Sequence, residues 1–305
     1  MLRPLLIPLI YFCLHTWLGI PQTKCEVKLS MMDDAFDDQY LGCAKEMDGI
    51  APGLLEKEKS KSSLLRMVWE KAEQKWEKVK KKKISRPRDF KDKQGIAIVA
   101  YTDKIEIYNE VFPTTFNKAV RENGTSQADY MAHFHFKAFH YYLTTALQLL
   151  RKGYDVTYNR KVYWGTRTKY TGSGDMRFGH FASSSIEEKE AEKFGTNTFF
   201  TIRSCFGVEI WKFSYDRLQK EVLIPVHETF NAANVQGSNH FVLQSTNRTC
   251  SRFNCAYLGG EKNEKCVDNS ATRRGLAFPS VLSPSLFGGP ILLVHVAALK
   301  LFADF

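Results

Sequence analysis

Three short segments in the second half of the chain carry side chains suited to chemistry. Tyr163-Trp164-Gly165 sets two aromatic rings before a glycine. Arg177-Phe178-Gly179-His180-Phe181-Ala182-Ser183-Ser184-Ser185 reads as a strand that ends in hydroxyls before a helix. Gln219-Lys220-Glu221-Val222-Leu223-Ile224-Pro225 puts a carboxylate at the mouth of an apolar strand. Such a carboxylate can act as a base or stabilise developing positive charge. As residues alone, these segments do not identify an enzyme.

The elements around them change character along the chain. Leu64, Leu65, Val68, Trp69, Ala72, Trp76 and Val79 recur at helical spacing. Lys80 to Lys83 end that helix, where positive charge suits the negative end of the macrodipole. Gly95 to Tyr101 has the length of a short apolar strand. After the Asn123-Gly124 turn, Ser126 with Asp129 predicts the start of one long helix. Phe136, Phe139, His140, Leu143, Leu147 and Leu150 form its buried stripe, and Gly153 ends it. His133, His135 and His140 lie on aromatic helical faces without nearby acidic partners, which points away from a metal. Beyond Gly153 come short strands: Val162 to Trp164, Phe199 to Arg203, Val208 to Phe213, Glu221 to Pro225 and His240 to Leu243. Glu187 to Phe194 is a helix among them. Helices first and strands later predict an α+β fold, a helical N-terminal half packed on a mixed or antiparallel β-rich core. There is no P-loop and no G-x-G-x-x-G fingerprint.

Both ends read as addresses. Arg3, the apolar run Leu5 to Leu18 and the small, polar stretch Gly19 to Thr23 predict a signal peptide over residues 1–23. Ser270-Ala271-Thr272, a linker with Arg273 and Arg274, and the apolar tail Leu286 to Phe302 predict a GPI signal over 271–305, with attachment at Ser270. A transmembrane helix fits less well: about 17 residues, broken by Gly288, Gly289 and Pro290, carry His295 and Lys300. The expected domain spans residues 30–266, at the outer face of the plasma membrane or secreted. Roughly 245 residues remain between the addresses, enough for one large domain or two small ones. The net charge of +10 would suit nucleic acid in a cytosolic protein, but a secreted chain rarely meets any. Cys13 leaves with the signal. Cys25, Cys43, Cys205, Cys250, Cys255 and Cys266 remain for disulfides, without C-x-x-C spacing for zinc. Asn123 and Asn247 head glycosylation sequons.

The chain resembles the vertebrate ecto-ADP-ribosyltransferases along most of its length. Ala35 to Tyr40 with Gly42-Cys43 is similar to the family's opening segment. Phe136 to Leu143 with Ala146 to Leu150 is similar to its long helix, Glu221 to Pro225 to its catalytic strand, and Asn254 to Gly260 to its closing segment. The resemblance implies NAD as substrate, no metal, release of nicotinamide, and transfer of ADP-ribose to arginine on an extracellular or cell-surface protein. It implies that Glu221 stabilises the ribose cation, as a carboxylate does in glycosidases, and that Ser183 positions it. Tyr101, Gly165, His180 and Ser214 fall at NAD-contact positions. The implied bridge is Cys43–Cys255, with Cys250 and Cys266 expected to pair beside it. Cys205 lacks its usual partner, since Asn159 stands near that place; Cys25 could substitute, or the thiol is free.

Three positions depart from the family pattern. Trp164 stands where the family's R-S-E motif has the arginine that grips the NAD phosphates, Gln219 where arginine-specific members have the first glutamate of E-x-E, and His180 where glutamine is frequent. Arg167 or Arg177 could compensate for the lost guanidinium. A transferase is the family reading. An NAD glycohydrolase follows from Gln219, and an inactive surface member from Trp164. No nucleic acid partner is expected, and the membrane is met only through a lipid anchor.

Overall fold

The computed structural model describes residues 26–82, 84–104, 106–154, 158–214 and 217–270. The expected signal segment, Cys25 and the segment 271–305 lie outside the described residues. Strand β1 (Glu26–Lys28) precedes helices α1 (Ala44–Lys61), α2 (Ser63–Lys80) and α3 (Asp92–Thr102). A small hairpin of β2 (Glu106–Ile107) and β3 (Glu110–Val111) leads to α4 (Phe112–Glu122), α5 (Gln127–His133) and α6 (Lys137–Arg151). Strands β4 (Arg160–Thr166), β5 (Lys169–Thr171), β6 (Gly174–Met176) and β7 (Ala182–Ser185) follow, then helix α7 (Glu188–Glu192). Strands β8 (Thr198–Ser204), β9 (Val208–Glu209), β10 (Glu221–Ile224), β11 (Glu228–Asn234) and β12 (His240–Thr249) complete the fold. Among the described residues, one sheet of eight strands runs β6-β11-β12-β8-β4-β7-β10-β9. Its pairs are antiparallel except β12 with β8. This is the expected α+β architecture.

The apolar face of α2 is buried as its spacing predicts, from Leu64 to Val79. Three expected elements differ. Gly95 to Tyr101 lies in α3, a helix, because an unbroken apolar run cannot separate a strand from a helix buried on all sides. Gln94 caps it, accepting from the Lys91 amide at 2.8 Å. Gly95 permits the close approach of α2: a Cβ there would lie 2.3 Å from the Trp76 ring. The long helix predicted from Ser126 is two helices. Ser126 caps α5, accepting from the Asp129 amide at 3.0 Å, but α6 starts afresh at Lys137. Its cap is tertiary: the Glu58 carboxylate accepts from the Lys137 and Ala138 amides at 2.6 and 3.1 Å. Within Val208 to Phe213, only Val208–Glu209 forms a strand; the rest turns back toward β10.

The start and the end of the described domain are joined by carboxylates as well as by sulfur. Asp37 accepts from the amides of Arg252 and Phe253, each at 2.9 Å, and pairs with the Arg177 guanidinium. Asp38 accepts from the amides of Tyr40, Cys255 and Ala256. Burial nevertheless pushes the Asp38 carboxyl up to about 6. Cys43–Cys255 bridges the same seam with a Cα separation of 6.1 Å, and Cys250–Cys266 spans 4.8 Å beside it. Closing so long a loop is worth on the order of 5 kcal/mol by chain entropy. Arg177 therefore cannot compensate at a phosphate site. Its buried guanidinium is spent on Asp37 and on the carbonyls of Met31, Met32 and Cys250.

Two of the three histidines on the helical segments have partners in the fold. His140 is buried against Tyr40, whose hydroxyl lies 2.7 Å from Nδ1, and burial lowers its pKa to about 3. His133 does have an acidic partner, Asp129 at 2.7 Å, contrary to the sequence expectation. Among the described residues no group of three or more His, Cys, Asp or Glu side chains could hold a metal ion. No helix there is long and apolar enough to cross a membrane. Cys205 is a buried thiol outside both bridges.

Candidate active site

The order of the central strands builds the site. β4, β7 and β10 are neighbours, so the segments of Trp164, Ser183 and Glu221 lie side by side. Glu221 opens β10 and is 2% exposed. Ser183 pairs in register with Leu223, and Ser185 with Glu221. Alternation puts Ser183 on the face of Glu221, one diagonal step away. The Ser183 hydroxyl donates to Glu221 Oε1 at 2.6 Å, and Ser214 donates to Oε2 at 3.5 Å. Ser185 donates to the Gln219 carbonyl at 2.7 Å and fixes the turn that delivers the carboxylate. That turn places Lys220 at φ 46°.

A second layer supports this pair. The Tyr101 hydroxyl donates to the Phe181 carbonyl at 2.7 Å and accepts from Asn117 Nδ2 at 2.9 Å. Burial raises the Tyr101 phenol well above its ordinary range, so it stays protonated. The cleft beside Glu221 is narrow, with room of about 10 Å³, roughly one water. Lys104, Tyr163, Trp164, Phe194 and Gln219 form its walls with the serines.

Each departing position has a definite place. Trp164 stacks on Phe200 at 5.2 Å and meets Phe178, Tyr170 and His180 edge-on. Its indole thus anchors to the apolar side of the sheet while also lining the cleft. His180 donates from Nδ1 to the Phe178 carbonyl at 2.7 Å. Burial, and then the Arg121 charge, lower its pKa to about 3, so the ring is neutral. Gln219 accepts from Lys104 Nζ at 2.7 Å, and that ammonium sits 4.2 Å over the Phe194 ring. Gly165 is a glycine for packing: a Cβ would lie 2.4 Å from the Ala191 and Gly195 carbonyls. Arg167 is exposed.

Three residues near the site were not singled out in the sequence: Lys104, Asn117 and Arg121. Arg121 follows Asn117 by one turn on α4, which puts both on the face that meets Tyr101 and Phe181. Its charge acts on Tyr101, Tyr170 and His180, and it forms no ion pair among the described residues. The spacing from Asn117 was the available signal.

A buried carboxylate held by the Ser183 hydroxyl at the mouth of a narrow cleft faces the cleft in one fixed orientation. It suits a reaction in which positive charge develops on the substrate. The fold and this arrangement correspond to one known class. The profile of the NAD:arginine ADP-ribosyltransferase family matches residues 29–251, and the chain belongs to that family. It is 43% identical over 276 residues to ecto-ADP-ribosyltransferase 5 of Homo sapiens, covering 87% of this chain and 92% of the relative. It is 41% identical over 261 residues to T-cell ecto-ADP-ribosyltransferase 1 of Rattus norvegicus, covering 83% and 89%. Among solved structures, the eucaryotic mono-ADP-ribosyltransferase ART2.2 aligns with a TM-score of 0.67 at 40% identity. That alignment covers 76% of this chain and 99% of that chain. Mutants of ART2.2 have been solved with NADH and with NAD.

Proposed function

We propose that this protein is an NAD-dependent mono-ADP-ribosyltransferase that modifies arginine on extracellular proteins. The bond from ribose C1 to nicotinamide breaks, and its electron pair leaves with nicotinamide. Glu221 faces the ribose as positive charge develops, held by Ser183 and Ser214. The acceptor nitrogen then bonds to C1. Its proton passes to solvent, since the Gln219 amide cannot take one. His180 and Tyr101 bound the NAD site as neutral groups, and the Gly165 segment lines the nicotinamide end. Arg121 supplies the guanidinium for the phosphates that position 164 lacks. The cleft is narrow, so Phe194 at its rim gives way as NAD binds, while Lys104 stays on Gln219.

The Ser183–Glu221 hydrogen bond, in a chain of this family, carries the reading. The test is purified ectodomain incubated with NAD and an arginine acceptor, with free nicotinamide and acceptor-linked ADP-ribose measured separately. A folded, monodisperse protein that releases no nicotinamide would overturn it.

The ecto-enzyme relatives support an extracellular site of action. We infer that residues 1–23 are removed as a signal, that 271–305 are exchanged for a GPI anchor at Ser270, and that Asn123 and Asn247 carry glycans. Asn247 is exposed and Asn123 ends α4. Release from transfected cells by phosphatidylinositol-specific phospholipase C tests the anchor. Retention alongside release of a control GPI protein would sink it.

A further inference from the structure

We propose that the mouth of the cleft docks an acidic segment of the acceptor, so that the arginines modified are those flanked by carboxylates. The proposal rests on the transferase reading and names its acceptor class.

Two basic features lie near Glu221. Lys104 is held against Gln219 at 2.7 Å and over Phe194 at 4.2 Å, which fixes an ammonium at the wall of the cleft. Lys75, Lys78, Lys82 and Arg217 line a groove of about 250 Å³ that meets the active site through Ser214. Ser214 itself touches Glu221. Among the described residues Lys78 and Lys82 form no ion pair, and the buried Arg217 Nη2 has no hydrogen-bond partner. Lys75 and Lys78 belong to the last turns of α2 and Lys82 to the turn just after it. A bare guanidinium approaching Glu221 comes near these like charges and is repelled. Carboxylates beside the arginine reverse that sign, one pairing with Lys104 and others with the groove. Charge complementarity of this kind discriminates by repelling wrong partners as well as holding right ones.

The experiment uses three peptides of equal length, each with one arginine flanked by aspartate, serine or lysine. ADP-ribosyl-arginine and free nicotinamide are measured with the intact ectodomain over a range of salt. The acidic peptide is expected to exceed the neutral one at least tenfold in kcat/KM, with the advantage falling as salt rises. Lys104→Glu should reverse the order, and Lys78→Glu/Lys82→Glu should shrink the advantage through KM. Equal transfer to all three peptides, with nicotinamide released, overturns the docking proposal alone. No nicotinamide under any condition overturns the transferase reading instead. A heparin fragment that binds the groove by fluorescence anisotropy, while the acidic peptide does not, makes it a glycan site and also overturns the proposal.

Discussion

The Ser183 hydroxyl reaches Glu221 Oε1 at 2.6 Å across the boundary between β7 and β10. The bond fixes which way the carboxylate faces, and a fixed charge stabilises a developing cation without reorganising. Glu221→Gln should therefore lower nicotinamide release by roughly a hundred- to a thousandfold. Ser183→Ala leaves the charge but loses the bond, so about a tenfold fall is expected. Chromatographic quantitation of nicotinamide reads both. Equal rates for Glu221→Gln and wild type would remove Glu221 from the mechanism.

NAD affinity should respond to two positions in opposite directions. Arg121→Gln is expected to raise the NAD KM about ten- to a hundredfold, the worth of one charged hydrogen bond. Trp164→Arg should lower the KM but also lower Tm, because it gives up the stack on Phe200. That packing loss is roughly 1–3 kcal/mol. The two changes share one substrate, so their effects should not add. Steady-state kinetics beside a thermal melt separates affinity from stability.

Gln219→Glu restores a carboxylate beside the acceptor, but Lys104 already occupies that amide oxygen. The new carboxylate would pair with the ammonium. The single variant should thus raise transfer to agmatine only modestly, and Lys104→Ala/Gln219→Glu should raise it further, with less free ADP-ribose. A single variant that performs as well as the double would show that Lys104 does not compete for position 219.

His180 makes stability depend on acid. Its folded pKa is about 3, below the ordinary histidine value near 6.5. Between those values the unfolded chain binds more protons, so stability present above pH 6.5 is lost as pH falls. The loss reaches about 2 kcal/mol by pH 5. His140 titrates in the same direction. His180→Gln keeps a donor and removes one of these protonation sites. Its urea midpoint should fall less between pH 7 and pH 5 than that of the wild type. An identical fall in both proteins would mean that His180 is not buried neutral.

The parts of the site that were legible in the sequence are those governed by short-range pattern. Strand alternation around Ser183 to Ser185 and the carboxylate opening Glu221 to Ile224 could be read directly. The apolar spacing of α2 could too, because it has one buried face. Gly95 to Tyr101 could not, because α3 is buried on every side and loses its periodicity. The break between α5 and α6 depends on Glu58, which caps Lys137 from 79 residues away. Lys104 and Gln219 are 115 residues apart, so only the fold shows that the two define one wall. Arg177 was misjudged for a related reason. A lone arginine near a substrate motif looks available until its partner, Asp37, is placed beside it.

The seam made by Cys43–Cys255 and Cys250–Cys266 also sets how the molecule bears mechanical load. A pull on the chain beyond Ser270 enters at Cys266 and crosses to Cys250, then passes through Cys255 to Cys43. The force leaves through α1, and the path bypasses β4, β7 and β10. A load applied at the C-terminal end of the described residues is therefore carried by the two bridges rather than by the strands that hold Ser183 against Glu221.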